Sequence, residues 1–276
     1  MDYNRFKKTF AWVAASEYKG MIRAAIGLTL GMTFLYSMNL GLDEMYMGET
    51  WLHSKMLDMW QMTLCLYLVV MTVTVGEIAK DMQTNDGRVM ALMLPAGNGE
   101  KFLARMLWMT LSTTVVYIVS VVCGDILRVM LSYAFGWSVH TSMLWDIISE
   151  GSIFFLSVSR DIPGIVIVQM VLLVILSHSF FTLGGTFFRR RAILLTMVTS
   201  FILSSLFGLI VSTFILHSPE MLAELARPFL GALEAGYTWP MLIPVAITTV
   251  FIVFNYWAAY KLYCRIQVIS NKWINL

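Results

Sequence analysis

Ser177-His178-Ser179 places a hydroxyl on either side of an imidazole, the residue types that make a nucleophile and its general base. Adjacent residues on a helix point in different directions, and no GxSxG elbow accompanies the triplet. A buried, hydrogen-bonded histidine is therefore the preferred reading of His178, and no catalytic group is assigned. His53, His140 and His217 fall in separate segments with neither HExxH nor paired-ligand spacing, so no metal site is expected. Cys65, Cys123 and Cys264 are isolated, form no CxxC pair and read as small buried hydrophobes. The sequence contains no Gly-Lys dipeptide and hence no Walker-type phosphate loop; no cofactor is expected on this chain.

A denser pattern of charge lies in residues 77–107, EIAKDMQTNDGRVMALMLPAGNGEKFLARML. Asn85-Asp86-Gly87 marks a turn. Val89, Met90, Leu92, Met93 and Leu94 form an apolar run closed by Pro95, which disfavours helix in the residue before it. Asn98 is placed to cap a new helix, with Glu100 in its first turn facing the positive end of the dipole. Lys101 and Arg105 stand at i, i+4 on that helix, so a positive ridge is expected to project from it. A short charged helix beneath a membrane suits docking onto another protein; the alternative is an interfacial loop whose charges only fix topology.

The elements that position this segment are six apolar stretches, Ala24–Leu42, Met59–Gly76, Met106–Gly124, Ile162–Phe188, Ala192–Leu216 and Trp239–Tyr260. None contains Lys, Arg, Asp or Glu, and each is close to the roughly 20 residues that cross about 30 Å of hydrocarbon. With 58% hydrophobic and 13% charged residues over 276 positions, the chain is too apolar for an ordinary soluble domain. The expected fold is all-α: a polytopic membrane protein with six transmembrane helices, forming a single transmembrane domain over residues 1–276 without an internal repeat. No cleavable signal peptide is expected, because the first apolar stretch follows a charged segment of about twenty residues.

Orientation follows from the basic residues. Arg5, Lys7, Lys8, Lys19, Arg23, Lys80, Arg88, Lys101, Arg105, Arg189, Arg190, Arg191, Lys261, Arg265 and Lys272 fall on the side of the N-terminus; only Lys55, Arg128, Arg160 and Arg227 fall on the other. The positive-inside rule then makes both termini cytosolic. Residues 1–23 are amphipathic, with Phe6, Phe10, Val13 and Ala14 on one stripe, and are expected to lie in the interface before the chain turns into the first span. Arg189-Arg190-Arg191 reads as a topological anchor rather than a nucleic-acid or lipid patch. In the long link 125–161, Asp125 and Arg128 are spaced to pair, and Leu144, Trp145, Ile147 and Ile148 suggest an amphipathic helix. The link 217–238 has the composition of short re-entrant helices. Gly184, Gly185, Ser200, Ser204, Ser205, Gly208 and Ser212 suit close helix packing.

Six spans, an amphipathic N-terminal helix and the link LMLPAGNGEKFLARML, residues 92–107, resemble the permease subunits of type-2 ABC exporters, in a Bacteroidetes-like branch. The resemblance implies a chain of the plasma (inner) membrane that forms a translocation path with a second permease chain and hydrolyses nothing itself. ATP and Mg would be bound by a separate ABC ATP-binding subunit, and membrane lipid, not nucleic acid, would surround the chain. Residues 79–105 would hold the coupling helix, residues 1–23 the connecting helix, and 125–161 with 217–238 the exit gate. Glu100, Lys101 and Arg105 would be docking residues, and Glu77 would pair with one of them. The competing readings are a membrane-embedded protease or lipid-modifying enzyme built on Ser177 and His178, and a secondary carrier or scaffold. Few polar groups stand in the spans besides Asn39, Gln169, His178 and Asn255, which counts against a proton- or sodium-coupled carrier.

Overall fold

The computed structural model describes residues 2–41, 49–83, 85–137, 139–146, 148–149, 164–188, 191–217, 224, 227, 231, 240 and 242–265. Among these the chain is all-α, without strands. The helices are α1 (Tyr3–Gly41), α2 (Glu49–Gly76), α3 (Asn85–Met93), α4 (Asn98–Phe135), α5 (Met143–Asp146), α6 (Gly164–Phe187), α7 (Ala192–His217) and α8 (Leu242–Cys264), with a short 3-10 turn at Lys80–Gln83. Six of them, α1, α2, α4, α6, α7 and α8, are long and apolar enough to cross a membrane. The chain is a polytopic, all-α membrane protein.

Two helices differ from the expectation. Residues 3–23 are not a separate interfacial element, because α1 runs unbroken from Tyr3 to Gly41. No Pro interrupts the junction, and Gly20 there is accommodated within the helix, so the amphipathic segment becomes the first turns of a helix about 58 Å long. Likewise α4 continues eleven residues beyond Gly124, and the link after it begins at Gly136. Gly136 takes a left-handed φ of 69°, and the following Trp137 N–H returns to Ser132 O at 2.9 Å, a conformation glycine adopts without Cβ strain.

The chain folds as two compact units, residues 1–74 with 95–161, and 75–94 with 162–276. In the first, α1 and α4 pack in parallel along most of their lengths. Phe10 meets Trp108 edge-on at 5.5 Å, Ser120 Oγ donates to Ala25 O at 3.2 Å, and Thr33 Oγ1 donates to Gly124 O at 3.3 Å. The core is Met32, Tyr36, Leu40, Met56, Met59, Tyr117, Val121 and Met143. Thr63 of α2 is its polar hub. Its hydroxyl donates to Met59 O at 2.7 Å and so accepts from Tyr36 Oη at 2.9 Å, while Tyr117 Oη donates to Thr63 O at 2.5 Å.

The second unit pairs α6 with α8, also in parallel. Gln169 Nε2 donates to Thr248 Oγ1 (3.0 Å), His178 Nδ1 bonds Tyr256 Oη (2.7 Å), and Asn255 Nδ2 donates to Ser179 Oγ (3.1 Å). Helix α7 packs against the end of α6, where Gly184 touches Thr196. The close-packing expectation holds there but not farther along α7, whose residues 201–213, including Ser204, Ser205, Gly208 and Ser212, are exposed. The cysteines also differ from expectation: Cys65 and Cys123 are exposed and Cys264 is partly exposed, because they lie off the helix–helix contacts.

Association between helices in lipid depends on close approach and polar contacts rather than on water exclusion. A Cβ on Gly124 would sit 2.8 Å from Met32 Cβ, and one on Gly184 would overlap the Thr196 side chain. Gly124→Val and Gly184→Val should each lower the detergent-solubilised Tm by several degrees, on the scale of overpacking costs of about 1–3 kcal/mol. Gly208→Val, at a site with open space, should leave it unchanged. Thermal unfolding of the three variants by tryptophan fluorescence provides the check.

Candidate functional site

The link 79–105 passes from one compact unit to the other between Leu94 and Pro95, so each half belongs to its own unit. In the first half, Ile78, Ala79 and Met82 are buried and anchor the 3-10 turn, and Ala91 of α3 is buried. Glu77 pairs with Lys80 at 2.6 Å, one turn away and half-exposed. Its partner is thus Lys80, at i+3, rather than a charge on the following helix. Helix α3 leaves Val89, Met90 and Met93 exposed, with Met90 at 59% and Met93 at 79%. Their i, i+1, i+4 spacing puts them on one face.

In the second half the cap of α4 is Gly97, one residue before the expected Asn98. Glu100, the third helical residue, reaches back to accept from Gly97 N–H at 2.9 Å. Its other oxygen accepts from Asp2 N–H at 2.8 Å. Asp2 in turn caps α1, accepting from Asn4 N–H at 2.9 Å. Those backbone donors, Asn4 first and Arg5 second, hold the Asp2 carboxyl below the usual carboxylate range, and Arg5 adds an ion pair at 3.4 Å.

The i, i+4 spacing predicts an exposed ridge of Lys101 and Arg105; the structure buries both, with Arg105 only 3% exposed. Spacing alone fixes that the two share a face, and it does not say which way the face turns. Glu100 is buried with them, so the charged residues at the start of α4 are inside and the apolar ones of α3 are outside. That exposed triad was visible in the sequence as the apolar run before Pro95, but its run-like pattern concealed that one face stays uncovered.

Ser177 Oγ donates to Val174 O within its own helix at 2.8 Å, and His178 is half-buried with Nδ1 bonded to Tyr256 Oη at 2.7 Å. No cluster of three His, Cys, Asp or Glu suited to a metal occurs among the described residues. Asp125 and Arg128 do pair, at 3.6 Å, and both are 1% exposed. Asp125 also accepts from Ser142 Oγ and from the N–H groups of Met143 and Leu144, and Arg128 donates to Val139 O and Thr141 O. The pair therefore clamps the chain after α4 back onto that helix. Of the expected outer amphipathic helix the described residues include the four-residue α5, with Trp145 exposed; Ile147, residues 150–161 and most of 217–238 lie outside the described residues, as do Arg189 and Arg190.

Glu100→Gln, which removes the charge shared by two helix ends, should speed trypsin cleavage at Arg5, Lys7 and Lys8 severalfold at pH 7. The Asp2 cap has a depressed folded-state pKa, so its contribution is present above the normal carboxylate pKa and lost as pH falls through the lowered one. The protection factors of the Asn4 and Arg5 amides should accordingly fall at acid pH in the native chain and be low throughout in Asp2→Ala. Arg128→Met should destabilise by about 3–5 kcal/mol, because it strands a buried carboxylate; Asp125→Asn with Arg128→Met should recover part of that loss in chemical denaturation. Comparison with known proteins finds no matching family model, no matching curated protein and no matching solved structure.

Proposed function

We propose that this chain is the membrane-spanning permease subunit of an ATP-driven ABC exporter in the plasma (inner) membrane, with both termini cytosolic. The observation that carries the reading is the exposed apolar face of α3, formed by Val89, Met90 and Met93 on a nine-residue helix between the second and third spans. Solvent-exposed methionines on one face of a short helix suit insertion into a groove on another protein. The basic bias of the link and termini supports a cytosolic position, where an ATP-binding subunit would dock.

In this reading the chain hydrolyses nothing. ATP and Mg belong to the partner, whose closure would press on α3 and move the spans attached to it, and a second permease chain would complete the path. Docking through α3 shifts the contact from Glu100, Lys101 and Arg105 to Met90 and Met93. The buried charges would instead transmit force by holding the start of α4 rigid.

Tagging the chain, purifying it gently from native membranes and assaying ATP hydrolysis tests the proposal. A stoichiometric ATP-binding protein with vanadate-sensitive turnover supports it; an ATPase-free preparation sinks it. Met90→Glu with Met93→Glu should reduce recovery of that partner at least about tenfold, the loss expected when two apolar anchors of about 1.4 kcal/mol in total or more are removed. Membrane insertion should be unchanged. Full recovery of the partner with the double variant would overturn the docking assignment.

A further inference from the structure

A cleft of about 670 Å³ lies among the ends of α6, α7 and α8, within the range of small-molecule sites. Its apolar walls include Phe180, Phe187, Phe254 and Trp257, and its charged groups are Lys261 and Arg265. Two threonines also line it, but Thr196 Oγ1 donates to Ala192 O and Thr199 Oγ1 to Leu195 O, each at 2.7 Å within α7. The cations are thus the strong donors the cleft offers to a ligand.

The depth of those cations follows from the parallel register of α6 and α8. The three cross-helix bonds join residues 76, 78 and 79 apart. That offset sets Lys261 level with residues 182–185 and Arg265 level with 186–189. Arg265 therefore marks the rim, where the apolar stretch of α6 ends at Phe188, and Lys261 stands about one turn inside it. Lysine at such a depth usually snorkels toward water. Here its Nζ instead lies over the ring of Trp257, 6.0 Å from the centroid and one turn back along α8. The ammonium is held against the aromatic wall of the cleft.

We infer that this cleft binds a membrane phospholipid with a net-negative headgroup, its phosphate between Lys261 and Arg265 and an acyl chain along Phe180 and Phe254. The geometry matches each part of such a molecule. The paired cations stand at the end of the apolar spans, at i, i+4 on one helix face, and the aromatic walls continue from them along the apolar part of α6 and α8. The inference is independent of the exporter reading and holds for any function of these spans.

The test uses the full chain in detergent, with phosphatidylglycerol, phosphatidylcholine and inorganic phosphate as probes, read by native mass spectrometry and by Tm. The expected result is retention of phosphatidylglycerol about tenfold or more over phosphatidylcholine, from two basic residues at a membrane surface, with no Tm shift from phosphate. Lys261→Gln with Arg265→Gln should abolish the preference, whereas Lys7→Gln with Lys8→Gln should leave it intact. A photoactivatable phosphatidylglycerol on the native chain should label peptides containing Phe180–Phe188 and Phe254–Arg265, a readout that needs no variant to fold. Equal retention of the two lipids, an equal shift from phosphate alone, loss of preference in the Lys7/Lys8 control, or labelling elsewhere would each overturn the proposal.

Discussion

One carboxylate serves the N-terminal ends of two helices at once. Parallel packing sets the dipoles of α1 and α4 side by side, with their positive ends together, an arrangement that repels unless negative charge lies between them. Glu100 supplies that charge and accepts a backbone N–H from each side, at Asp2 and at Gly97. The tie also fixes register. From it follow Phe10 on Trp108, Ser120 on Ala25 and Met32 on Gly124, contacts whose residue offset drifts from 98 at the start to 92 near the far end. A slip of one residue would take Gly124 away from Met32 and present a side chain at the closest approach.

The two units reach cohesion by the same physics with different residues. In each, the first and third spans run parallel and touch directly, so a polar side chain on one can meet a polar side chain or carbonyl on the other. A hydroxyl that donates to its own i−4 carbonyl still accepts from outside, which is how Thr63 Oγ1 takes Tyr36 of α1, while its main-chain carbonyl accepts from Tyr117 of α4. The second unit uses Gln169, His178 and Asn255 as donors or partners for Thr248, Tyr256 and Ser179. Such contacts contribute roughly 0.6–2 kcal/mol each in a bilayer. These three polar residues thus help fasten α6 to α8.

The spans were legible because apolar length is a one-dimensional property: all six apolar stretches fall within, or largely within, described helices. The Asp125–Arg128 pair was legible too, since i, i+3 spacing on a helix brings side chains together wherever the helix lies. Other features depend on rotation and partner, which spacing does not carry. Lys101 and Arg105 share a face as expected, yet that face turns inward; Glu77 finds Lys80 because the chain tightens into a 3-10 turn after α2. The unbroken α1 was hidden because its change from amphipathic to apolar, with Gly20 at the change, resembles a boundary, although a single glycine weakens a helix without having to end it.

The inversion at the link has an energetic consequence. Burying Lys101 and Arg105 costs desolvation that their contacts must offset, and leaving Met90 and Met93 exposed forgoes apolar burial within the chain. Together they enclose the charges where the parallel pair is fastened and leave one face of α3 uncovered. A link that served only to fix topology would place its lysine and arginine in solvent and its methionines inside. The side chains are arranged the other way round: the basic residues at the start of α4 are enclosed, and Val89, Met90 and Met93 of α3 are left uncovered.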